Sequence, residues 1–438
     1  MNKSLLGHIT NSEFSKSLRD DSIIFENKAK IGICVSGGSD SMALTILMNN
    51  WIRDKDYSLE ILYYNHKLRK DSYQEQKFVE KFAENLRINF KSFDWSGDKP
   101  RSAVMKTARE MRYQTIFEHC KKNNIIHLMT AHHLNDLIET YFMRLQRKFS
   151  TIGLSSIPKK FNNKNLVIYR PLLKFEKKRL ISTCEYFNFD WVRDKSNKDA
   201  RFERVRARNF LKENNTYSKR LEKDIKIQID VNNKLESQIG NFFLRNLKIY
   251  EFGVFELNYE KFKVNKINLK VEILKKILVT CSGKVYPPRV KSIKILIRKM
   301  LNFKVNKNTL HGCIIKKINN KVIFFKEFRD ISNDQNNICI NAGASFHWDN
   351  RFHIYSKKKI FCEILNDEKW LSLKIYYQKF KNIKDISYEI LRTLPVVRLG
   401  KKKIIPFLLA EEDLKKNEIQ LFFEPLIPLS KKKFLNIN

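Results

Sequence analysis

The chain has 438 residues, which is enough for two or three domains. Its hydrophobic fraction of 42% can fill a sizeable core and excludes wholesale disorder. Lysine and arginine number 85 against 47 acidic residues, and the resulting net charge of +38 points to a polyanionic partner such as RNA or DNA. The joint abundance of Lys, Asn, Ile and Phe offers a second, purely compositional explanation of the lysine excess.

The seven cysteines are dispersed, and none forms a Cys-x-x-Cys pair. A zinc ribbon or an iron–sulfur site built from clustered thiolates is therefore not expected. An odd, scattered count is typical of a reducing compartment. The N-terminal segment lacks the apolar core of a secretory signal, and no stretch approaches the roughly 18 apolar residues of a membrane span. We therefore expect a cytoplasmic protein without a membrane partner.

Strand-like and helix-like segments alternate through the first half of the chain. Apolar residues at helical spacing predict helices around 78–86, 104–115 and 134–145. This alternation predicts an α/β domain with a mostly parallel sheet, whose ligands bind at the carboxyl ends of the strands. Short apolar runs predict the strands themselves, at 31–35, 59–64, 90–95, 125–129 and 166–169.

The pattern changes after residue 213. Apolar residues at helical spacing predict a mostly helical domain, and the polar segment 332–337 predicts a linker after it. Shorter alternations at 352–354, 371–375 and 395–399 predict strands of a small β-rich domain. The predicted domains are 1–213, 214–331 and 338–438.

A glycine turn joins the first predicted strand to the helix that follows. Backbone N–H groups at the two glycines can approach an anion, and the helix adds its positive N-terminal end. Asp40 would repel a phosphate unless Mg²⁺ bridges the two groups. The lysine of a γ-phosphate-transferring P-loop is absent. A nucleotide site is predicted, although a plain Gly-Gly turn has the same local features. The turn consists of Ser36, Gly37, Gly38, Ser39, Asp40 and Ser41.

A second polar segment follows the fourth predicted strand and contains His132, His133, Asp136 and Glu139. The two carboxylates are three residues apart and project from one helix face. They fit an ammonium group, a metal ion, or only the positive helix N-terminus. His132 is equally consistent with packing and with chemistry.

Together these segments resemble the PP-loop ATP pyrophosphatases, which cleave ATP to AMP and pyrophosphate, and within them the tRNA-lysidine synthases. SGGSDS matches the SGGxDS signature of the superfamily. Two departures from the family's pattern are Lys67 and Asn135, which replace a glycine and an acid. The family's RGSG appears here as 147–150, Arg-Lys-Phe-Ser, which restricts that backbone. Further matches are ARxxRY at 108–113, TAHHLNDLIET at 130–140, RPLL at 170–173, DKSN at 194–197, RN at 208–209 and WDNRF at 348–352.

The resemblance implies roles for individual residues. The turn residues 36–41 would bind ATP, with Asp40 on Mg²⁺. Asp136 and Glu139 would bind the lysine substrate. His133 and Arg112 would also serve catalysis, with the general base left open between His133 and a carboxylate. Arg69, Arg147 and Arg208 would contact tRNA, with a structural role for Arg208 as the other interpretation.

The resemblance also implies a reaction. ATP adenylates the first anticodon cytidine of a tRNA(Ile) with a CAU anticodon, and the side-chain amine of free L-lysine displaces AMP. The product, lysidine, changes codon reading to AUA. Two alternatives remain: another PP-loop tRNA-modifying enzyme such as a tRNA thiolase, and a non-catalytic RNA-binding protein with a degenerate loop. A homodimer is left open.

Overall fold

The computed structural model describes residues 7–21, 23–67, 72–95, 104–147, 157–163, 166–193, 199, 201–302, 307–377, 387–409 and 411–429. The chain divides into two compact units, Met1–Asn232 and Asn233–Asn438. The finer division into three domains stays a prediction. Among the described helices, none has the length and apolar character to cross a membrane.

The first unit is built on one six-stranded sheet with the order β3-β2-β1-β4-β6-β5. All neighbouring strands are parallel except β5 and β6, which confirms the predicted α/β class. All five predicted strands are present. The strands are β1 (Lys30–Val35), β2 (Ser58–Asn65), β3 (Asn89–Asp94), β4 (His127–Met129), β5 (Lys160–Asn163) and β6 (Leu166–Tyr169).

Helices cover both faces of this sheet. Helix α2 is buried along most of its length because it packs between β1 and α6, and this explains why its apolar residues surround the whole helix. The helices are α1 (Asn11–Asp20), α2 (Ser39–Ile52), α3 (Ser72–Asn85), α4 (Val104–Lys122), α5 (Leu134–Gln146), α6 (Lys177–Tyr186), α7 (Glu203–Glu213) and α8 (Asn215–Asn246).

The first part of the second unit contains the two predicted helices α10 (Ile267–Ser282) and α11 (Val290–Leu301), preceded by a short helix, α9 (Tyr259–Lys263), that the apolar spacing did not predict. They accompany a five-stranded antiparallel sheet that the apolar spacing did not reveal, because its strands are short and interrupted by Lys and Asn. Its order is β7-β8-β11-β10-β9. The strands are β7 (Leu247–Ile249), β8 (Phe255–Asn258), β9 (Lys307–Leu310), β10 (Cys313–Ile318) and β11 (Lys321–Lys326).

The second part of this unit is β-rich, as predicted. It holds a four-stranded sheet, β12-β15-β16-β17, and a three-stranded sheet, β13-β14-β18. The strands are β12 (Ile338–Ile340), β13 (Ala344–Trp348), β14 (Phe352–Ser356), β15 (Ile360–Ile364), β16 (Pro395–Leu399), β17 (Lys402–Ile404) and β18 (Ile419–Phe423); the helices are α12 (Asp367–Tyr377), α13 (Tyr388–Leu391) and α14 (Glu411–Asn417).

Two local predictions need correction. The strand predicted at 371–375 is wrong, because this segment lies in α12. The Asn366 side chain accepts the Lys369 N–H at 2.9 Å and starts the helix. The predicted linker 332–337 is not separate from the following sheet, because Trp348 Nε1 in β13 donates to the Gln335 carbonyl oxygen at 3.0 Å.

Candidate nucleotide-binding site

The glycine turn connects β1 to α2 at the carboxyl edge of the sheet. Gly37 has a φ of +81°, and a Cβ there would lie 3.2 Å from Val79 and Val192 methyl groups. Only glycine fits this position without strain. The Ser36 N–H donates to Ser41 Oγ at 3.2 Å, and Ser41 Oγ donates to the Gly38 carbonyl at 3.0 Å. The turn is therefore internally fixed, and α2 begins within it, at Ser39.

Asp40 lies in the first turn of α2 and is ionised. Burial raises its pKa, but hydrogen bonding and charge from His133 and Lys177 outweigh that effect and hold the pKa at about 2. Lys177 Nζ lies 3.2 Å from Asp40 Oδ2, and His133 Nε2 lies 3.5 Å from the same oxygen. The sequence interpretation missed Lys177, which comes from the distant helix α6.

His133 caps the N-terminus of α5. Its Nδ1 accepts the Asp136 N–H at 3.4 Å, and Asp136 Oδ2 accepts the His133 N–H at 3.0 Å. This reciprocal capping box fixes both side chains at the carboxyl end of β4. Because Nδ1 accepts this N–H, it is Nε2 that carries a proton, and Nε2 faces Asp40. One histidine thus connects the glycine turn with the acidic helix face.

The two predicted carboxylates are paired with arginines of α7. Arg204 donates to Asp136 Oδ1 at 2.6 Å and to Glu139 Oε2 at 2.8 Å, while Arg208 donates to Glu139 Oε1 at 2.7 Å. The Glu139 side chain is only 3% exposed. Sequence reasoning missed Arg204; its spacing of four from Arg208 on one helix face was the available signal.

Positive charge surrounds His132 at the same edge of the sheet. Burial and the charges of Arg170, Arg109, Arg204 and Arg112 lower the pKa of this histidine to about 3. The ring is therefore neutral at pH 7, and its Nδ1 lies 3.1 Å from Thr130 Oγ1. A convergence of arginines on one edge is suited to phosphate oxygens.

Arg112 projects from α4 toward the carboxyl ends of β1, β2 and β4. Burial, with the charge of Arg112, lowers the pKa of His66 at the end of β2 to about 4. Burial raises the pKa of Cys34 in β1 to about 11, and Arg112 opposes this rise. Arg112 and Arg109 both lie over the Tyr113 ring, at 5.1 and 5.2 Å from its centroid. The structure thus brings Arg112 to the edge where the glycine turn lies.

Two of the three departures from the family pattern, Lys67 and Asn135, lie among the described residues. Lys67 adopts a φ of +49°, in the left-handed region where glycine is the unstrained residue. Its ammonium group pairs with Asp94 at 2.9 Å. Asn135 accepts the Lys177 N–H at 2.9 Å through its Oδ1, so the amide connects α5 to the start of α6.

The three predicted tRNA contacts have different surroundings. Arg208 is paired with Glu139, as described above. Arg147 follows α5 and donates to Glu203 on α7. Arg69 lies outside the described residues, as do 148–150 and 194–197.

The donor set at Asp40 fits a magnesium ion that is delivered with a nucleotide. Mg²⁺ is commonly held by one or two carboxylates together with substrate phosphates. Asp40 supplies an ionised carboxylate whose side chain is 27% exposed. Within the described part of the chain, no cluster of three or more His, Cys, Asp or Glu side chains could hold a metal ion by itself.

A mostly parallel sheet with a glycine turn, a half-buried aspartate and an arginine-lined edge is typical of a PP-loop nucleotide-binding domain. The family described as PP-loop domain matches residues 7–215. The tRNA(Ile)-lysidine synthase of Rickettsia bellii (strain RML369-C) is 32% identical over 387 residues, covering 86% of this chain and 88% of the relative. That of Orientia tsutsugamushi (strain Boryong) is 28% identical over 420 residues, covering 92% and 94%. The chain belongs to the tRNA(Ile)-lysidine synthase family.

Among solved structures, the U34-tRNA thiolase NcsA from Methanococcus maripaludis is 16% identical with a TM-score of 0.44, covering 50% of this chain and 78% of the thiolase. This likeness is too limited to support any inference about the present chain. Family membership confirms the predicted use of ATP and the predicted enzyme class, an ATP-dependent ligase. The roles of individual residues stay predictions.

Proposed function

We propose that the protein ligates free L-lysine to the first anticodon cytidine of a tRNA(Ile) with a CAU anticodon. One observation supports this beyond the family: His133 connects the glycine turn to the acidic helix face, with its Nε2 3.5 Å from Asp40 and also 3.5 Å from Asp136. A nucleotide on the turn and an amine at the carboxylates would therefore be neighbours, as a two-step transfer requires.

In the first step, the cytidine carbonyl oxygen attacks the α-phosphate of ATP, and pyrophosphate leaves. The turn residues 36–41 bind the phosphates through backbone N–H groups and the N-terminus of α2. Asp40 would hold Mg²⁺, which would neutralise charge on the leaving pyrophosphate. Arg112 stabilises negative charge on the phosphates, because its guanidinium lies at the same sheet edge.

In the second step, the lysine side-chain amine displaces AMP from the adenylated base. Asp136 and Glu139 bind the incoming amine, sharing their oxygens with Arg204 and Arg208. The amine must lose a proton before it attacks. Because His133 Nδ1 accepts a backbone N–H and Nε2 carries the proton, a carboxylate is favoured over His133 as the proton acceptor.

The remaining elements of the proposal concern the RNA. A net charge of +38 attracts a polyanion of tRNA size. Arg69 and Arg147 contact tRNA. Arg208 also contacts tRNA if its ion pair with Glu139 breaks when the RNA binds. The regions 214–331 and 338–438 bind parts of the tRNA outside the anticodon. A cytoplasmic location fits such a substrate, and light scattering distinguishes a monomer from the homodimer that the sequence leaves open.

The test is a labelling reaction with purified protein, ATP, Mg²⁺, radiolabelled lysine and tRNA(Ile) carrying the CAU anticodon. We expect label on the RNA and release of AMP, and no label on a matched transcript whose first anticodon base is uridine. Sulfur incorporation in place of lysine would assign a thiolase instead. RNA binding without AMP release would assign a non-catalytic protein.

A further inference from the structure

The three-stranded sheet β13-β14-β18 has two faces of different character. One face packs into the core through Trp348, Phe352 and Ile354, each fully buried. The strand registers place the intervening residues together on the opposite face. That face carries two cross-strand rows, Ser345–Tyr355–Gln420 and His347–His353–Phe422.

This second face, which we call the aromatic face, presents rings to solvent. Phe422 is 56% exposed, although phenylalanine is ordinarily among the most buried residues. His347 and His353 lie side by side with ring centroids 4.8 Å apart, and Tyr355 is half-buried in the next row. Four rings on adjacent rows form a surface that flat ligands can stack on.

Lysines lie at one end of the same sheet. Lys357, Lys358 and Lys359 directly follow β14, while Lys415 and Lys416 lie at the end of α14, just before β18. All five are exposed. They meet at one end because Ser356, the last residue of β14, pairs with Ile419, the first of β18. Lys358 also pairs with Glu418 at 3.1 Å, so at least one of these five positive charges has an acidic partner.

The combination of exposed rings and lysines distinguishes between three classes of partner: a protein, a paired RNA helix and unpaired RNA. Lysine is depleted in protein–protein interfaces, whereas unpaired nucleotides are bound by aromatic rings that stack on bases beside cations that contact phosphates. A paired helix offers no free base faces, so it would use the lysines but not the rings. The charge and the rings together favour unpaired RNA.

We propose that the aromatic face of the β13-β14-β18 sheet binds unpaired nucleotides of the tRNA by base stacking on Phe422, Tyr355 and the two histidines. The proposal rests on the function proposed above, since it takes tRNA as the partner. It adds a specific contact surface in the second unit, remote in sequence from the PP-loop domain.

The experiment measures fluorescence anisotropy with three probes: the tRNA, a single-stranded RNA oligonucleotide and a blunt RNA duplex of equal length. In the full-length protein, the double variant Tyr355→Ala/Phe422→Ala is expected to bind tRNA and the single strand about tenfold more weakly or worse. Duplex affinity stays unchanged. Phe422→Trp retains binding because it keeps the stacking surface. Tyr286→Ala removes a ring that is 74% exposed outside this sheet and serves as the matched control.

Equal unfolding midpoints for all variants establish that each is folded. Unchanged tRNA and single-strand affinity of the double variant would overturn the proposal while leaving the proposed function intact. Failure of the wild-type protein to bind tRNA would instead overturn the proposed function. Loss of self-association in the double variant with RNA binding intact would assign this face to a second copy of the chain, and that also overturns the proposal.

Discussion

At the scale of single residues, the charge of Asp40 is the property on which the site depends. A carboxylate with a pKa of about 2 in the folded protein and about 3.9 when unfolded stabilises the fold above the higher value. That contribution is lost as pH falls through about 2. The group therefore stays ionised throughout the neutral range, as its proposed role as a magnesium ligand requires. Its neighbours His133 and Lys177 maintain this charge within a site that is partly desolvated.

Replacing Asp40 tests its proposed role directly. We expect Asp40→Ala to abolish AMP formation and to leave tRNA affinity within about threefold, since the change removes one charge from a large basic surface. AMP release is followed by chromatography and tRNA affinity by filter binding. Comparable loss of both would show that the residue is structural.

Lys177→Met tests what holds the pKa of Asp40 low. Without the ammonium group 3.2 Å away, the pKa of Asp40 rises, so the acid limb of the pH profile for AMP formation should move to higher pH. Because this pKa starts at about 2 and His133 still lowers it, the loss of activity is confined to the acid end of the profile, and activity near pH 8 is unchanged. Lys178→Met is the control, because Lys178 is exposed and pairs with Glu176 instead. Identical profiles for the two variants would contradict the expectation.

At the scale of elements, the contact between α5 and α7 organises the acidic side of the site. Glu139 is buried, and its two oxygens accept donors from Arg204 and Arg208 on the neighbouring helix. A buried carboxylate without such donors would be costly. The same ion pairs offset the negative charge of Asp136 and Glu139, so the helix pair both holds these carboxylates in place and moderates their charge.

Arg208→Leu separates the structural role of this residue from a tRNA contact. We expect the free energy of unfolding to fall by about 1–3 kcal/mol, because Glu139 loses a charged donor in a buried position. Chemical denaturation measures this, and Lys212→Leu, an exposed position on the same helix, should change stability by less than about 0.5 kcal/mol. A large loss of tRNA affinity with unchanged stability would favour the RNA contact instead.

The sequence predicts features that depend on residues close together along the chain, and it does not predict contacts between residues that are far apart along it. Apolar periodicity identified the parallel strands and the helices between them, because burial imposes that period locally. It misjudged 371–375, where Leu371 and Leu373 alternate as in a strand but lie on a helix started by Asn366. The partnerships of Arg204 with Asp136 and of Lys177 with Asp40 join residues 68 and 137 positions apart. No local pattern encodes such contacts.

At the scale of the whole molecule, the excess of positive charge is spread over both units. Phosphate contacts release counterions, so affinity for tRNA should depend strongly on salt. The lysine-rich end of the aromatic face contributes to that dependence, while stacking on its rings does not. Electrostatic capture and base contacts are therefore separable in this protein.

A salt titration makes this separation measurable. We expect the logarithm of tRNA affinity to fall linearly and steeply with the logarithm of salt concentration between about 50 and 200 mM, by about a thousandfold if six or more phosphates are contacted. Filter binding at each concentration gives the slope. A flat response would remove net charge as an argument for RNA binding.

Lys67 has a consequence for engineering this protein. A side chain held in the left-handed region costs roughly 1–2 kcal/mol, whereas an exposed ion pair such as that with Asp94 returns about 0–1 kcal/mol. Lys67→Gly should therefore raise the melting temperature by a few degrees, measured by calorimetry, with Lys55→Gly as a destabilising or neutral surface control. A lower melting temperature would show that the ion pair outweighs the strain. Position 67 is therefore one at which a single substitution can raise thermal stability next to the proposed nucleotide site.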